Sequence, residues 1–266
     1  MKKISIVTIS FNQARYLEEA INSILNQKYN NLEYIIVDPG STDGSREIIN
    51  DYKDRISKII FKVDAGPAEG LNNGFAEATG DIFGYLNADD LLLPGTLNRV
   101  SNVFQNNPNL DVISAHGYNI DQEGKLAKKI FSHHFDIKHY LYENCILVQQ
   151  STFFKSSIFR LVGGFNANNH IAWDGELMVD FFNTGANFKV TRGFWSGFRV
   201  YDQSISGGSD YFGKLNADYL RLRQKYDFPE IGPHKKKILW FMNWIRQPLT
   251  LLRRIYSAFE SVLNVY

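Results

Sequence analysis

The feature that most constrains this chain is a set of four apolar runs, Ile4–Ile9, Leu32–Val37, Ile59–Val63 and Ile82–Leu86, with helical segments between them. The runs are rich in Val, Ile and Leu, as strands covered on both faces are. After the first, Tyr16/Leu17, Ala20/Ile21 and Ile24/Leu25 recur at helical spacing opposite Arg15, Glu18, Glu19 and Asn22. Asn12 stands where it can cap that helix. Further helices are predicted over Arg46–Tyr52 and over 68–78. Strand and helix alternate four times, which predicts an α/β fold around a mostly parallel sheet with right-handed crossovers.

The ends of these strands carry the chemistry. They lead into Ser10, Asp38, Asp64 and the adjacent pair Asp89-Asp90. In an open α/β sheet, ligands bind beyond the carboxyl ends of the strands. The first turn, Ser10-Phe11-Asn12-Gln13, lacks the glycines of a dinucleotide-binding unit, and no Gly-Lys-Ser/Thr phosphate loop occurs. A row of acids suits ribose hydroxyls and a metal better than bare phosphate. Asp89 and Asp90 have no Lys or Arg beside them in sequence, so they repel unless a cation or a proton joins them. A divalent metal shared with substrate phosphates meets that need; a turn that caps the next helix is the other reading.

Beyond Pro94 the pattern loosens. It predicts a helix over 95–106, a strand Asp111–Ala115 and a hairpin turning at Asp121–Lys125. Phe131 to Leu147 holds His133, His134 and His139 without further ligands, so it reads as a polar surface loop rather than a metal site. Gln149–Phe154 reads as a short strand and Gly163-Gly164-Phe165 as a helix stop. Asp174 opens a helix whose apolar face is Leu177, Met178, Phe181 and Phe182. There it serves either as a cap or, beside Trp173, as a general base. A strand Phe188–Thr191 and a loop Trp195–Ser206 carrying Arg199 follow.

At 266 residues, 44% hydrophobic and 21% charged, the composition is that of a soluble globular protein. The single cysteine, Cys145, excludes an internal disulfide framework and suits a cytoplasmic location. No apolar stretch has signal-peptide or membrane-spanning length. The net charge of +1 conceals an asymmetry, because residues 231–266 hold six Lys/Arg and one acid, leaving −4 over 1–230. In that tail Trp240, Phe241 and Trp244, and then Leu249, Leu252, Tyr256, Phe259 and Leu263, lie among Lys235–Lys237, Arg253 and Arg254. Such a segment fits either a helix at a membrane interface, through 235–263, or a helix packed on the core or on a second copy.

Taken in order, these motifs resemble the family 2 glycosyltransferases, which have the GT-A fold. The resemblance rests on Ser5–Asn12, Ile36–Ser45, Asp64–Gly74, Gly80–Asp90, Gly163–Phe165 and Trp173-Asp174, and it covers roughly 1–208. It implies a catalytic domain over 1–230, with a nucleotide-sugar half (1–115) and an acceptor half (116–230), followed by basic amphipathic helices over 231–266. The resemblance gives Asp38 the nucleotide base, with Ser10 and Asn12 beside it, and puts Asp64 and Asn72 in the nucleotide pocket. Asp89 is assigned the ribose and the metal, and Asp90 the metal and diphosphate, with Mn²⁺ or Mg²⁺ as cofactor. Asp174 matches the base of inverting members. Trp173, Glu176 and Arg199 are weaker candidates for contact with the donor or acceptor sugar.

The implied activity is transfer of one sugar from a nucleotide sugar, a UDP-sugar first among them, to a hydroxyl of a glycan. A lipid-linked acceptor of cell-envelope polysaccharide synthesis, a hexosyl donor and peripheral contact with the inner face of the membrane fit this picture; a nucleic-acid partner does not. The Gln-x-x-Arg-Trp motif of processive members is absent. Two positions depart from the family pattern. Pro39 stands where many members have a second Asp, and Asn87 opens the motif usually written Asp-x-Asp. Two other classes were weighed. A sugar-nucleotide nucleotidyltransferase would need a Gly-rich, basic loop that Ser10–Arg15 lacks, and a non-catalytic binding module would have no use for Asp89, Asp90 and Asp174 together.

Overall fold

The structure, a computed structural model, describes residues 1–201, 211–246, 248 and 252. Strands β1 (Ile4–Ile9), β2 (Leu32–Asp38), β3 (Lys58–Phe61) and β4 (Ile82–Asn87) run parallel in the order β3-β2-β1-β4. Their crossovers hold α1 (Ala14–Leu25), α2 (Ser45–Asp51) and α3 (Pro67–Ala76), close to the expected bounds. The short β5 (Leu91–Leu92) and then α4 (Thr96–Asn106) follow the Asp89-Asp90 turn. The sheet continues beyond β4 through strands that come later in the chain. These include β6 (Val112–Ile120), which forms a hairpin with β7 (Leu126–Ile130), and β8 (Thr152–Lys155), inserted antiparallel between β4 and β6. The long β9 (Phe188–Arg199) runs parallel to β6 and pairs with β5 on its other edge. The result is a curled mixed sheet flanked by helices.

Alternation along the central strands assigns the two cores. Ile4 and Ile6 of β1, Tyr34 and Ile36 of β2 and Ile82 and Leu86 of β4 pack with Leu17, Ile21 and Ile24 of α1 and Leu97 and Val100 of α4. Val7, Ile35, Val37, Phe83 and Tyr85 point the other way, onto Leu71 and Phe75 of α3 and an aromatic cluster of Phe154, Phe159 and Phe165. Burying each such side chain stabilises the fold by about 1.5–3 kcal/mol. Both faces being covered explains why the strands read as continuous apolar runs.

Three expectations are corrected. Asn12 does not cap α1: it has a left-handed backbone (φ 52°), and its side chain instead accepts the Thr42 N–H at 2.9 Å. The free amides before α1 are satisfied from the β2–α2 loop, by Ser45 on Gln13 (3.0 Å) and Asp43 on Ala14 (2.9 Å). The segment 131–148 is largely interior rather than a surface loop. Around α5 (Ile137–Leu141), Phe131, His133, Phe135 and His139 are buried and only His134 of the three histidines is exposed. Among the described residues no group of three or more His, Cys, Asp or Glu is arranged to hold a metal. Finally, Trp195–Arg199 is strand, not loop, because β9 finds partners on both edges. The rest of that expected loop, 202–206, lies outside the described residues.

The remaining helices are α6 (Ser156–Val162), α7 (Trp173–Asn183), α8 (Tyr211–Lys225) and α9 (Pro233–Arg246). Helix α9 is fixed beside α5 by the Lys236–Glu143 ion pair (2.7 Å), by the Asn243 side chain on the Asn144 carbonyl and by burial of Leu239. Among the described residues no helix is long and apolar enough to cross a membrane. Leu249, Arg253, Arg254, Tyr256, Phe259 and Leu263 of the expected tail helix lie outside the described residues, as does the side chain of Trp244.

Candidate active site

Beyond β1 the strand order turns back, β2 lying on one side and β4 on the other. In the parallel register Ile9 is level with both Val37 and Asn87, so Ser10, Asp38 and the turn Ala88-Asp89 emerge together. A crevice at such a switch point is where doubly wound sheets bind ligands. A pocket of about 610 Å³ opens there, lined among others by Ser10, Pro39, Asp64, Asn87, Asp89 and Trp173.

Three buried polar atoms at this rim have no hydrogen-bond partner: Ser10 Oγ, Asp38 Oδ2 and Asn87 Oδ1. Such atoms cost stability unless something satisfies them, so their convergence at one crevice needs an explanation. The other oxygen of Asp38 is committed. Its Oδ1 accepts the Gly40 and Ser41 amides (both 2.9 Å) and Arg46 Nε (2.9 Å), which fixes the carboxylate; Oδ2 is enclosed without a partner, next in the chain to the pocket-lining Pro39. Asp64 is held over the first turn of α3 by the Gly66 amide (3.0 Å), and Gly70 makes room for it, since a Cβ there would lie 2.8 Å from Asp64 Oδ2. Burial, with Glu69 and Asp38 nearby, raises the Asp64 carboxyl above its ordinary value.

The Asp89-Asp90 pair divides its work. Asp89 lines the pocket and accepts the Tyr201 hydroxyl on Oδ2 at 2.8 Å. Asp90 is fully enclosed; it accepts the Arg199 amide (2.9 Å), Gln150 Nε2 (2.8 Å) and Asn87 Nδ2 (3.3 Å). Burial, and then the charge of Asp89, push the Asp90 carboxyl well above its ordinary value. Both Asp90 oxygens are thus engaged within the protein, orienting Asn87 and anchoring β9, while Asp89 is the member of the pair that lines the pocket. The outward Asp89 carboxylate and the unpartnered Asn87 Oδ1 form an oxygen donor set that fits a divalent cation completed by substrate phosphates and water.

Helix α7 begins where two cavities meet. Trp173 lines the nucleotide-side pocket, and Asp174 lines a second cavity of about 250 Å³ with Tyr85, Tyr140, Gln149, Tyr211 and Tyr219. Asp174 lies within the first turn of α7 and accepts the Gly175 amide at 2.8 Å. The amide before the helix, that of Ala172, goes to Asn169 (2.9 Å) and Asp218 (3.2 Å). Burial raises its carboxyl above the ordinary value, which makes it a stronger base when ionised. Gly175 allows Tyr140 to close over this turn, since a Cβ there would fall 1.5 Å from the Tyr140 hydroxyl.

Four further expected site residues are engaged elsewhere. Asn12 binds Thr42, as above. Asn72 clamps the backbone of Phe165, donating to its carbonyl (2.8 Å) and accepting its amide (2.9 Å). Glu176 is buried and faces Arg221 (2.6 Å), Lys225 (3.0 Å), Asn166 and Asn169. Burial alone would raise its carboxyl, but these donors outweigh that and hold it at about 2. The Arg199 guanidinium is buried and spends its donors on Glu19 (2.6 Å) and on the carbonyls of Asp89, Asp121 and Gln122. All four make these contacts within the protein, in or beside the site's walls. Conversely, sequence reasoning missed Tyr201 and the tyrosines of the second cavity. A single Tyr carries no local signal, and these are assembled only by β9, α5 and α8.

The crevice at the switch point, the mixed sheet and the helical layers define the GT-A fold. The family model described as glycosyl transferase family 2 matches residues 5–199, and the chain belongs to that family. An uncharacterized glycosyltransferase of Nostoc sp. is 39% identical over 137 residues, which is 48% of this chain and 42% of the relative. Another from Rickettsia typhi is 30% identical over 195 residues, 69% of this chain and 59% of the relative. The chain thus spans about half the length of these relatives. Among solved structures, the mannosyltransferase PcManGT of Pyrobaculum calidifontis, in complex with GDP-Man and Mn²⁺, superposes with a TM-score of 0.65 at 18% identity, over 98% of this chain and 75% of that one. TarS of S. aureus in complex with UDP-GlcNAc does so at 0.62 and 14% identity, over 92% and 72%. At these identities the likeness is one of fold.

Proposed function

We propose that this protein moves a single sugar, a hexose, from a nucleoside diphosphate sugar to a hydroxyl of a glycan, with inversion at the anomeric carbon. The observation that carries this is the set of unpartnered atoms at three adjacent strand ends, Ser10 Oγ, Asp38 Oδ2 and Asn87 Oδ1. In this reading Asp38 Oδ2 accepts an N–H of the nucleotide base, and a uracil ring imide supplies one. That the solved GT-A neighbours bind UDP-GlcNAc and GDP-Man supports a nucleotide sugar as donor, and the uracil form is favoured here. Asp89 and Asn87 would hold Mn²⁺ or Mg²⁺, which when bound supplies positive charge for the departing diphosphate. Asp174 takes the acceptor proton as the acceptor oxygen bonds to the anomeric carbon. The bond from that carbon to the phosphate oxygen breaks, and its electron pair leaves with the diphosphate. A single displacement needs no covalent enzyme intermediate. The test is a thermal-shift panel of nucleotide sugars with and without Mn²⁺. UDP-sugars should raise the melting temperature most; a panel that leaves it unmoved removes the proposal.

The acceptor reading extends to a lipid-linked glycan at the inner face of a membrane. Ile238, Phe241, Met242 and Ile245 are exposed and recur at helical spacing on α9, while Leu239 and Asn243 face the protein. Lys235, Lys237 and Arg246 flank that stripe, also exposed. Basic residues beside an apolar stripe complement an anionic lipid surface, at about 1 kcal/mol per Lys or Arg. The protein should therefore sediment with anionic vesicles at low salt and be released by added salt. A protein that ignores the vesicles, or that forms a dimer buried through α9, overturns the membrane contact.

A further inference from the structure

The second cavity carries information about the acceptor that the donor side does not. Its walls come from Tyr85 on β4, the 135–149 segment, the start of α7 and one face of α8, where Tyr211, Leu215 and Tyr219 follow at four-residue spacing. The Tyr140 and Tyr219 rings pack together with centroids 5.5 Å apart. Among the described residues lining the cavity, Asp174 alone is charged. Residues 202–210, which lead into α8, contain two acids and no Lys, Arg or His. Lys214 on α8 is exposed rather than a wall residue.

We propose that the acceptor group bound here is a neutral sugar ring, recognised by tyrosine faces and hydroxyls, and that anionic sugars are excluded. This rests on the reading that Asp174 is the acceptor-side base. Aromatic faces pack against the apolar face of a pyranose, and their hydroxyls, with Gln149, reach its polar edge. A uronate or sugar phosphate would bury a second negative charge beside Asp174 with no cation to pair it. Selectivity thus comes from a repulsive element as much as from contacts.

The test uses the full chain saturated with UDP and Mn²⁺, with saturation-transfer NMR and competition against matched pairs: methyl glucoside and methyl glucuronide, methyl galactoside and methyl galacturonide, and glucose 6-phosphate. A neutral glycoside should bind at least tenfold more tightly than its uronide or phosphate counterpart. Leu215→Lys, which adds a cation at a partly exposed wall position, should narrow that preference at least fivefold while UDP affinity stays unchanged. Equal or tighter binding of the anionic member, or an unaltered preference in Leu215→Lys, overturns the proposal. If UDP binds and no glycoside does, the acceptor assignment fails while the donor reading stands. If UDP itself does not bind, both fail together.

Discussion

The donor rim and the acceptor cavity meet at adjacent residues, Trp173 and Asp174, yet they are built in opposite ways. The rim is collected from the ends of parallel strands that lie side by side, so each functional group sits one to three residues past an apolar run. The cavity is collected from a strand, an irregular segment and two helices that span residues 85 to 219. The rim carries acids and unsatisfied oxygens at its strand ends; the cavity is walled largely by tyrosines and aliphatic side chains. A rim of that kind is suited to a charged, highly functionalised ligand that completes it. The cavity is suited to a ligand selected by shape and by the absence of charge.

The largest effect expected is at the junction. Asp174→Asn should lower turnover by about 10²–10⁴ while UDP affinity is unchanged, the usual contribution of a general base. Parallel loss of UDP binding would show that the two regions are not separable. In wild type, burial raises the Asp174 carboxyl, so kcat/KM should fall with decreasing pH from a point above the ordinary carboxylate range. An acid limb at or below that range would return Asp174 to a structural role.

Effects on stability come next. Asp90→Ala strands the Arg199 amide, Gln150 and Asn87 in a buried site, so it should cost about 2–3 kcal/mol by denaturant melts. A stable Asp90→Ala that merely loses Mn²⁺ affinity would mark Asp90 as a ligand. Glu176→Gln should cost less, about 1–2 kcal/mol, because its partners Arg221 and Lys225 are near the surface. The Glu176 carboxyl lies at about 2 in the fold against an ordinary 4.5. Its stabilising contribution is therefore present above 4.5 and is lost as pH falls through that window towards 2. Between those limits wild type should lose more stability than Glu176→Gln; equal losses would contradict the ion-pair account.

The same contrast explains what sequence reasoning could and could not see. Strand alternation, the turn at 121–125 and the row Ser10, Asp38, Asp64, Asp89 were legible because each is a local pattern of period, turn former or strand end. The protein contacts of Asp90, Arg199, Glu176 and Asn72 were not legible, because a polar residue beside a motif looks the same whether it faces a ligand or a buried partner. Which it faces is decided largely by contacts from residues distant in sequence, such as Gln150 on Asp90, 60 positions away, and Glu19 on Arg199, 180 positions away. The buried histidines of 131–148 show the converse. Polar sequence there was read as surface, but His133 and His139 lie in a segment that the sheet edge and α8 cover.

Calorimetry of UDP into the full chain with Mn²⁺ tests the central claim most directly, comparing wild type with Asp38→Asn and Asp174→Asn. Wild type and Asp174→Asn should bind UDP equally. Asp38→Asn replaces the free carboxylate oxygen or its backbone-bound partner with an amide and should weaken UDP roughly tenfold to a hundredfold. Unchanged UDP affinity in Asp38→Asn, or no UDP binding by wild type, would contradict the assignment of the strand-end rim as the nucleotide site.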